Sequence, residues 1–250
     1  MTTYRRPEEC LRALKSAQTQ TYPSWHMRIV IDDPETDYTT IEAFTKDDTK
    51  FTLIKNEKNV GKNASVNRIL VQLRKEGFSG YIVFLDDDDW LSPHCLENLS
   101  NLIRKHATNH WFVTNRTDAT SGNPFTKNEM GKDAITYLTD CLVRRRFSGD
   151  ATHCLEFSKI KTVLFPTTVR NAEEWLYFAH VASIIPQFIY ADVAGTLSQG
   201  YSPNGLTDQY HTRAERDKNA LSLIKETASR HLFHPLIWLY LGHRLLRKFM

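Results

Sequence analysis

Short apolar segments alternate with amphipathic ones along the first half of the chain. Residues 27–31, 51–55 and 81–85 are predicted to be strands, because they are brief apolar runs bounded by polar turns. The segments before, between and after them carry apolar residues at helical spacing, such as Ile69 and Leu73. Because strands that alternate with helices form βαβ units, this pattern predicts an α/β fold with a largely parallel sheet flanked by helices.

The second half of the chain has a less regular pattern. Residues 115–132 are polar and rich in turn formers, so they are predicted to form a surface loop. The later elements are predicted as a helix at 134–143, strands at 153–157 and 188–193, and helices at 172–182 and 212–230. The stretch from Pro235 onward is apolar with basic residues between, and it is compatible with a membrane-surface helix, a dimer contact or packing on the domain.

Composition excludes several classes of protein. With 41% hydrophobic and 24% charged residues, the chain has the profile of a globular protein. A net charge of +3 is too small to indicate a nucleic-acid partner. The four cysteines form no CxxC pair, which predicts reduced thiols rather than zinc or disulfides. With no signal-peptide pattern and no apolar run of about 18 residues, a cytoplasmic location is expected, with peripheral contact to the inner face of the cell membrane left open.

Two groups of aspartates follow predicted strands. Asp32 and Asp33 come after residues 27–31, and four consecutive aspartates, residues 86–89, come after residues 81–85. Ligands of open α/β sheets bind beyond the carboxyl ends of the strands. Clustered carboxylates repel one another unless a cation lies between them, and oxygen ligands suit Mg²⁺ or Mn²⁺. The pattern therefore predicts a divalent metal site, with a solvated acidic turn as the alternative. An EF-hand loop is excluded, since Leu91 stands where a glycine is required.

Six short motifs give the chain a resemblance to glycosyltransferase family 2. In order they are the segment Thr2-Thr3-Tyr4-Arg5-Arg6-Pro7, the turn Gln20-Thr21-Tyr22-Pro23, the pair Asp32-Asp33, the loop residues Asn59 and Gly61 with Asn67, the run Phe84-Leu85-Asp86-Asp87-Asp88-Asp89-Trp90, and Glu173-Glu174-Trp175. Each is weak alone, but together they span roughly the first 180 residues in the family's order. The resemblance implies a GT-A fold, Rossmann-like with a mostly parallel sheet flanked by helices and a mixed, acceptor-side second half.

The resemblance also implies a division of the chain. Residues 1–114 would form the half that binds a nucleotide sugar, and residues 115–211 the acceptor-binding half. Residues 212–250 would be a C-terminal helical extension. Family members usually begin with an apolar strand before the Thr-Tyr motif, whereas here Met1 stands almost directly before it. Either the start lies upstream or the sheet lacks that strand.

Roles for individual residues are carried over from the family's motifs. Glu174 would be the general base, although the family more often has aspartate there; its alternative is a first-turn acid favoured by the helix dipole. Asp88 would hold Mn²⁺ or Mg²⁺. Contacts to an acceptor are expected from Glu173 and His153, though a histidine is more often structural. The residues expected to bind the nucleotide are Thr2, Thr3, Tyr4, Arg6, Asp33, Asn59, Lys62, Asp86 and Asp87. For Lys62 the alternative is a solvated position on a helix face.

The expected function is metal-dependent, inverting transfer of a sugar from a nucleoside diphosphate sugar, with UDP favoured. The acceptor would be a hydroxyl of a glycan or lipid-linked molecule in cell-envelope polysaccharide synthesis. An inactive binding or assembly module with this fold is one alternative, and a sugar nucleotidyltransferase is another. The nucleotidyltransferase is disfavoured because residues 2–7 lack the glycine-rich phosphate loop that such enzymes bring near the N-terminus. The oligomeric state is left open.

Overall fold

The predicted alternation of strands and helices is present in the computed structural model, which describes residues 1–168, 173–199, 213–230 and 233–249, without the side chains of 213–220 and 247–249. The elements of the first half are β1 (Thr2–Thr3), α1 (Pro7–Gln18), β2 (Met27–Ile31), α2 (Thr39–Thr45), β3 (Phe51–Lys55), α3 (Lys62–Lys75), β4 (Tyr81–Val83), β5 (Asp89–Leu91), α4 (Cys95–Lys105) and β6 (Trp111–Asp118). Those of the second half are β7 (Lys127–Asn128), β8 (Ala134–Thr136), a π-helical turn (Tyr137–Val143), β9 (Phe147–Ser148), β10 (Ala151–Glu156), α5 (Phe157–Ile160), α6 (Glu174–Ala182), β11 (Gln187–Ser198), α7 (Arg213–Ser229) and α8 (Pro235–Phe249).

Strands β1, β2 and β3 form a parallel sheet in that order. Val30 of β2 lies between Thr2 of β1 and Ile54 of β3, and it is fully buried. Helix α1 can begin at Pro7 because proline suits the first helical position. Its buried face packs in the core cluster that contains Ile29 and Ile31, on the opposite face of β2 from Val30. This parallel sheet with its helices confirms the predicted α/β class and places Asp32 and Asp33 at a carboxyl edge.

The second sheet is mixed. Its strands run in the order β4-β10-β6-β11-β5, with β8 paired to the start of β11. Only β6 and β11 are parallel, and the other pairs are antiparallel. The mixed character expected for the acceptor-side half is thus present, and it also includes β4 and β5 from the first half.

A gap separates neighbouring edges of these two sheets. Strand β1, only two residues long, is one edge of the first sheet, and β4 is one edge of the second. A cleft of about 2960 Å³ extends between these edges. Apolar side chains line it there, including Met27 of β2, Ile82 of β4 and, from α3, Ile69 and Leu73. Apolar side chains of α3 therefore border the cleft.

Several boundaries differ from the sequence prediction. The helix predicted at 134–143 is strand β8 followed by the π-helical turn, because residues 134–136 pair with the start of β11. Strand β11 extends to Ser198, well past the predicted 188–193. Residues 89–91 are strand β5, not part of the acidic turn. Residues 172 and 212, where two predicted helices begin, lie outside the described residues.

The C-terminal segment is helix α8, and one of its faces packs on the domain. Ile237 and Leu241 are fully buried in the main core cluster, whereas Leu239 and Leu246 are exposed. The packing option is thus correct for the inner face, and a membrane or dimer role for the outer face stays a prediction. Within the described ranges, none of the helices has both the length and the apolar character to cross a bilayer.

Candidate active site

Asp32 fixes the loop that precedes α3. Its carboxylate accepts the backbone N–H groups of Val60 and Gly61, at 2.9 and 2.7 Å, and the side-chain amide of Asn56 at 2.8 Å. Gly61 has φ of 93° and ψ of 156°, a conformation that glycine adopts without steric cost, and α3 begins at the next residue. Asp32 therefore has a structural role, which the sequence pattern did not separate from that of Asp33.

Asp33 is buried beside β1 with one carboxylate oxygen unused. Oδ1 accepts the backbone N–H of Glu35 at 3.0 Å. Burial raises the pKa of Asp33, but hydrogen bonds from the side chain and backbone of Thr36 and from Glu35 outweigh it and lower the pKa. Oδ2 is buried and has no hydrogen-bond partner. An unsatisfied acceptor of this kind suits a group that brings N–H donors. Asp33 does not itself line the cleft described above, so its contact with a nucleotide stays a prediction.

The four consecutive aspartates divide into two pairs. Asp86 and Asp88 open to the cleft, with 49% and 37% of their side chains exposed. Asp87 and Asp89 are buried, at 8% and 5% exposure. Asp89 accepts Nε and Nη2 of Arg116 at 2.8 and 2.9 Å, a two-pronged ion pair that anchors β5. Asp86 and Asp88 are thus the most accessible of the four aspartates, and Asp87, although nearly buried, also borders the cleft.

Arg6 is the counter-charge of the middle of the run. Its Nη1 lies 2.6 Å from Oδ2 of Asp88 and 3.5 Å from Oδ1 of Asp87. Burial nevertheless raises the pKa of Asp87 to about 6, against a hydrogen bond from Thr3 and the charge of Arg6. Arg12 donates to the backbone oxygen of Asp88 at 2.8 Å and lies over the ring of Trp90.

Lys62 connects the acidic run to the predicted base. Its Nζ lies 2.7 Å from Oδ1 of Asp86 and 2.7 Å from Oε1 of Glu174. Burial lowers the pKa of Lys62, but the two carboxylates outweigh it and raise the pKa well above the usual value. Residues 62, 86 and 174 therefore meet although they lie far apart in the sequence. The alternative of a solvated helix-face lysine is wrong.

The other predicted nucleotide contacts lie around the same cleft. Residues that line it are Thr2, Thr3, Tyr4, Arg6, Asn59 and Lys62, together with the acidic run and Glu174. Thr3 is nearly fully buried, and its hydroxyl lies 3.3 Å from that of Tyr38. Tyr4 is exposed. Their predicted roles stay predictions, but the structure brings the side chains together.

The two predicted acceptor residues have structural partners. Glu173 borders the cleft, but its side chain is only 9% exposed and its carboxylate pairs with Arg244. Its contact with an acceptor stays a prediction. His153 accepts a hydrogen bond from Trp111 Nε1 at 3.1 Å and stacks on Phe178. Burial lowers the pKa of His153 to about 3, so the ring is neutral. The ring also borders the cleft, and its contact with an acceptor stays a prediction.

The donor set fits a metal that is shared with a ligand. In the part of the chain that the structure describes, no three histidine, cysteine, aspartate or glutamate side chains come together as a metal site. Magnesium is typically held by one or two carboxylates and by substrate phosphates. Asp86 and Asp88 could supply those carboxylates, and Arg6 would release Asp88 as the metal arrives.

Four residues support the site, and the sequence patterns predicted a role for none of them. Arg12 and Arg116 hold the acidic run from outside, and no local pattern marks them. Asn67 of α3 exchanges two hydrogen bonds with the backbone of Phe165, and Asn63 donates to the oxygen of Pro166. They hold residues 165–166, which lead toward α6, on the helix that carries Lys62. Asn67 was quoted as part of a motif, and that was the available signal.

Comparisons with known proteins place this geometry in a family. The profile described as Glycosyl transferase family 2 matches residues 1–155. A putative colanic acid biosynthesis glycosyl transferase, WcaA of Escherichia coli K12, is 33% identical over 98 residues, 38% of this chain and 33% of that protein. The uncharacterised glycosyltransferase MJ1057 of Methanocaldococcus jannaschii is 34% identical over 100 residues, 39% of this chain and 33% of that protein. These alignments span about a third of each relative's length.

Solved structures share the fold. TarS 1–349 of S. aureus, in complex with UDP-GlcNAc, superposes with a TM-score of 0.69 at 18% identity, over 89% of this chain and 64% of that one. Mannosyltransferase PcManGT of Pyrobaculum calidifontis, with GDP-Man and Mn²⁺, gives 0.60 at 16% identity, over 98% and 67%. The likeness confirms the GT-A architecture, and the nucleotidyltransferase alternative finds no support. Because the matched profile covers more than half of the chain, the protein belongs to glycosyl transferase family 2.

Proposed function

We propose that this protein transfers a sugar from a nucleoside diphosphate sugar to a hydroxyl group, with Asp86, Asp87 and Asp88 at the donor and Glu174 as general base. The observation that carries the proposal is the position of Lys62, 2.7 Å from both Asp86 and Glu174. Lys62 thus connects the aspartates that follow β4 to the half-exposed carboxylate of Glu174, and all of these residues line one open cleft. A general base must lie within reach of the proton that it removes, beside the donor's reacting carbon.

The donor pocket would be formed by the residues that follow the carboxyl ends of β2 and β4. Asp33, with Oδ2 unused, would accept N–H groups of the base, beside Thr2, Thr3 and Tyr4. Asp87 would accept ribose hydroxyls, and Asn59 and Lys62 would face the diphosphate. A divalent cation held by Asp88 would supply charge stabilisation to the departing diphosphate. Arg6, released from Asp88, would then face the same negative charge.

The reaction at this site would be a single displacement. The acceptor oxygen attacks the anomeric carbon, the bond from that carbon to the diphosphate oxygen breaks, and the acceptor's proton passes to Glu174. The anomeric configuration is thereby inverted. One neighbour of the same fold is a complex with UDP-GlcNAc, and another is a complex with GDP-Man and Mn²⁺. A relative bears a colanic acid biosynthesis name. A UDP-sugar donor and a glycan or lipid-linked acceptor of the cell envelope are therefore proposed.

The test is turnover with and without the proposed base. Release of UDP from UDP-glucose, UDP-galactose and UDP-N-acetylglucosamine would be followed in Mn²⁺, with water or added glycans as acceptor. Glu174→Gln should lower turnover by about 100-fold or more, because a general base contributes about that much, and should leave UDP binding intact. The matched control is Glu129→Gln, at an exposed glutamate that does not line the cleft. UDP binding without turnover in the wild type would favour the binding-module alternative.

A further inference from the structure

We propose that the C-terminal helix α8 is part of the catalytic apparatus, in which Arg244 is a positioning residue that holds the base Glu174 through its neighbour Glu173. The proposal rests on the function proposed above. Nη2 of Arg244 lies 2.6 Å from Oε2 of Glu173, and Trp175 Nε1 donates to the same oxygen at 2.6 Å. The two residues on either side of Glu174 are therefore tied to one cation on α8.

The backbone at Glu173 gives this contact its consequence. Glu173 has φ of 62° and ψ of 35°, the left-handed region, and α6 begins at the next residue. For a residue with a Cβ this conformation is sterically unfavourable and persists only when surrounding contacts hold it. No side chain caps the helix at this position. The orientation of the Glu174 side chain therefore depends on the strained backbone of Glu173, which the contacts with Arg244 and Trp175 stabilise.

The clamp is anchored in the core. Ile237, Leu241 and Arg244 lie at helical spacing on one face of α8, and the first two are fully buried. Tyr240 packs its ring against Trp175 with centroids 4.9 Å apart, and Arg244 donates to the Tyr240 hydroxyl at 3.4 Å. The position of Arg244 is therefore fixed by packing rather than by a mobile surface contact.

The arrangement also keeps two adjacent carboxylates on separate cations. Glu173 pairs with Arg244, and Glu174 pairs with Lys62. Loss of the Arg244 charge would leave the nearly buried Glu173 carboxylate without that counter-charge, and Lys62 is the cation already paired with its neighbour. The base would then be displaced from the cleft, while the donor contacts on β1, β2 and the acidic run would stay in place.

The experiment compares Arg244→Gln, Arg244→Lys and Glu173→Gln with the control Arg230→Gln. Arg230 is also a partly buried arginine near the C-terminus, paired with Glu226 instead of Glu173. We expect Arg244→Gln to lower kcat for UDP release from the best UDP-hexose by at least tenfold, with donor KM within twofold of the wild type. Arg244→Lys should recover part of the loss, and Arg230→Gln should not change kcat.

Amide hydrogen exchange supplies a readout that needs no turnover. In Arg244→Gln and Glu173→Gln, amides in the first turn of α6 should exchange at least tenfold faster than in the wild type, while those of α3 keep their rates. Unchanged exchange and unchanged kcat in both variants would overturn the proposal. A parallel rise in donor KM would also overturn it, since that would place the effect of the substitution at the donor site rather than at the base. Wild-type protein without turnover, or without nucleotide binding, would refute the proposed function, and the positioning role with it.

Discussion

Asp87 is predicted to destabilise the folded state of the metal-free protein, although it is proposed to bind the donor nucleotide. Burial raises its pKa from 3.8 to about 6. A carboxyl group whose folded pKa is raised binds its proton more tightly in the folded state, so stability is lost as pH rises from the unfolded pKa through the folded one. At pH 7.5 the ionised, buried group should destabilise the fold by about 3 kcal/mol, and at pH 5 by roughly half as much.

Asp87→Asn removes this penalty and keeps the size of the side chain. In EDTA at pH 7.5 we expect it to raise the free energy of unfolding by about 2 to 3 kcal/mol, or the midpoint by about 6 to 12 °C for a chain of this length. The gain should shrink by about half at pH 5. Nucleotide binding should weaken, because a neutral amide oxygen accepts hydrogen bonds from ribose hydroxyls less strongly than a carboxylate does.

Urea unfolding at both pH values, with EDTA throughout, measures the effect. Asp47→Asn is the matched control, since Asp47 is exposed and does not line the cleft, and its stability change should be within about 0.5 kcal/mol of zero. A destabilised Asp87→Asn, or a gain that is the same at pH 5 and pH 7.5, would refute the reasoning.

Two further predictions concern the edges of the domain. Five apolar residues added before Met1 should form a strand in the gap between β2 and β4. They should raise the unfolding midpoint by about 5 to 10 °C, since the free energy gained by burying such side chains outweighs the entropy lost in ordering them. A Gly-Ser extension of equal length should give no gain, and equal midpoints for the two extensions would contradict the idea that a strand can fill the gap. Contact of the outer face of α8 with a lipid surface predicts that the double substitution Leu239→Glu and Leu246→Glu abolishes co-sedimentation with anionic liposomes. Co-sedimentation that the double substitution leaves unchanged, or that the wild type does not show, would contradict membrane contact.

The sequence predicted those features that depend on local pattern. Alternating apolar segments predicted the βαβ order, and a strand followed by aspartates located Asp86 and Asp88 at the cleft. The division of the four aspartates into an exposed pair and a buried pair was not predictable from the sequence. Residues 89–91 become a strand only by pairing with residues 196–198. For the same reason residues 134–136, which pair with residues 187–189, were mistaken for helix.

Contacts distant in sequence account for what the motifs missed. Lys62 and Glu174 are 112 residues apart, and no spacing rule brings them together. Glu173 was assigned to an acceptor because it stands in the family's acidic pair, yet its carboxylate is held by an arginine from the last helix. A motif identifies which residue types are needed, whereas the pairing of charges across the cleft depends on tertiary packing.

The central claim is that the carboxyl edge around Asp33 and residues 86–88 binds a nucleotide together with a divalent cation. Thermal unfolding with UDP, GDP, CDP and dTDP, each in Mn²⁺ and in EDTA, tests it most directly. A nucleotide at about 100 times its Kd stabilises by about 2.7 kcal/mol, which should raise the midpoint by about 5 to 10 °C. The account predicts such a shift with UDP in Mn²⁺ only, lost in Asp88→Asn and kept in Asp47→Asn. No shift with any of the four nucleotides would contradict it.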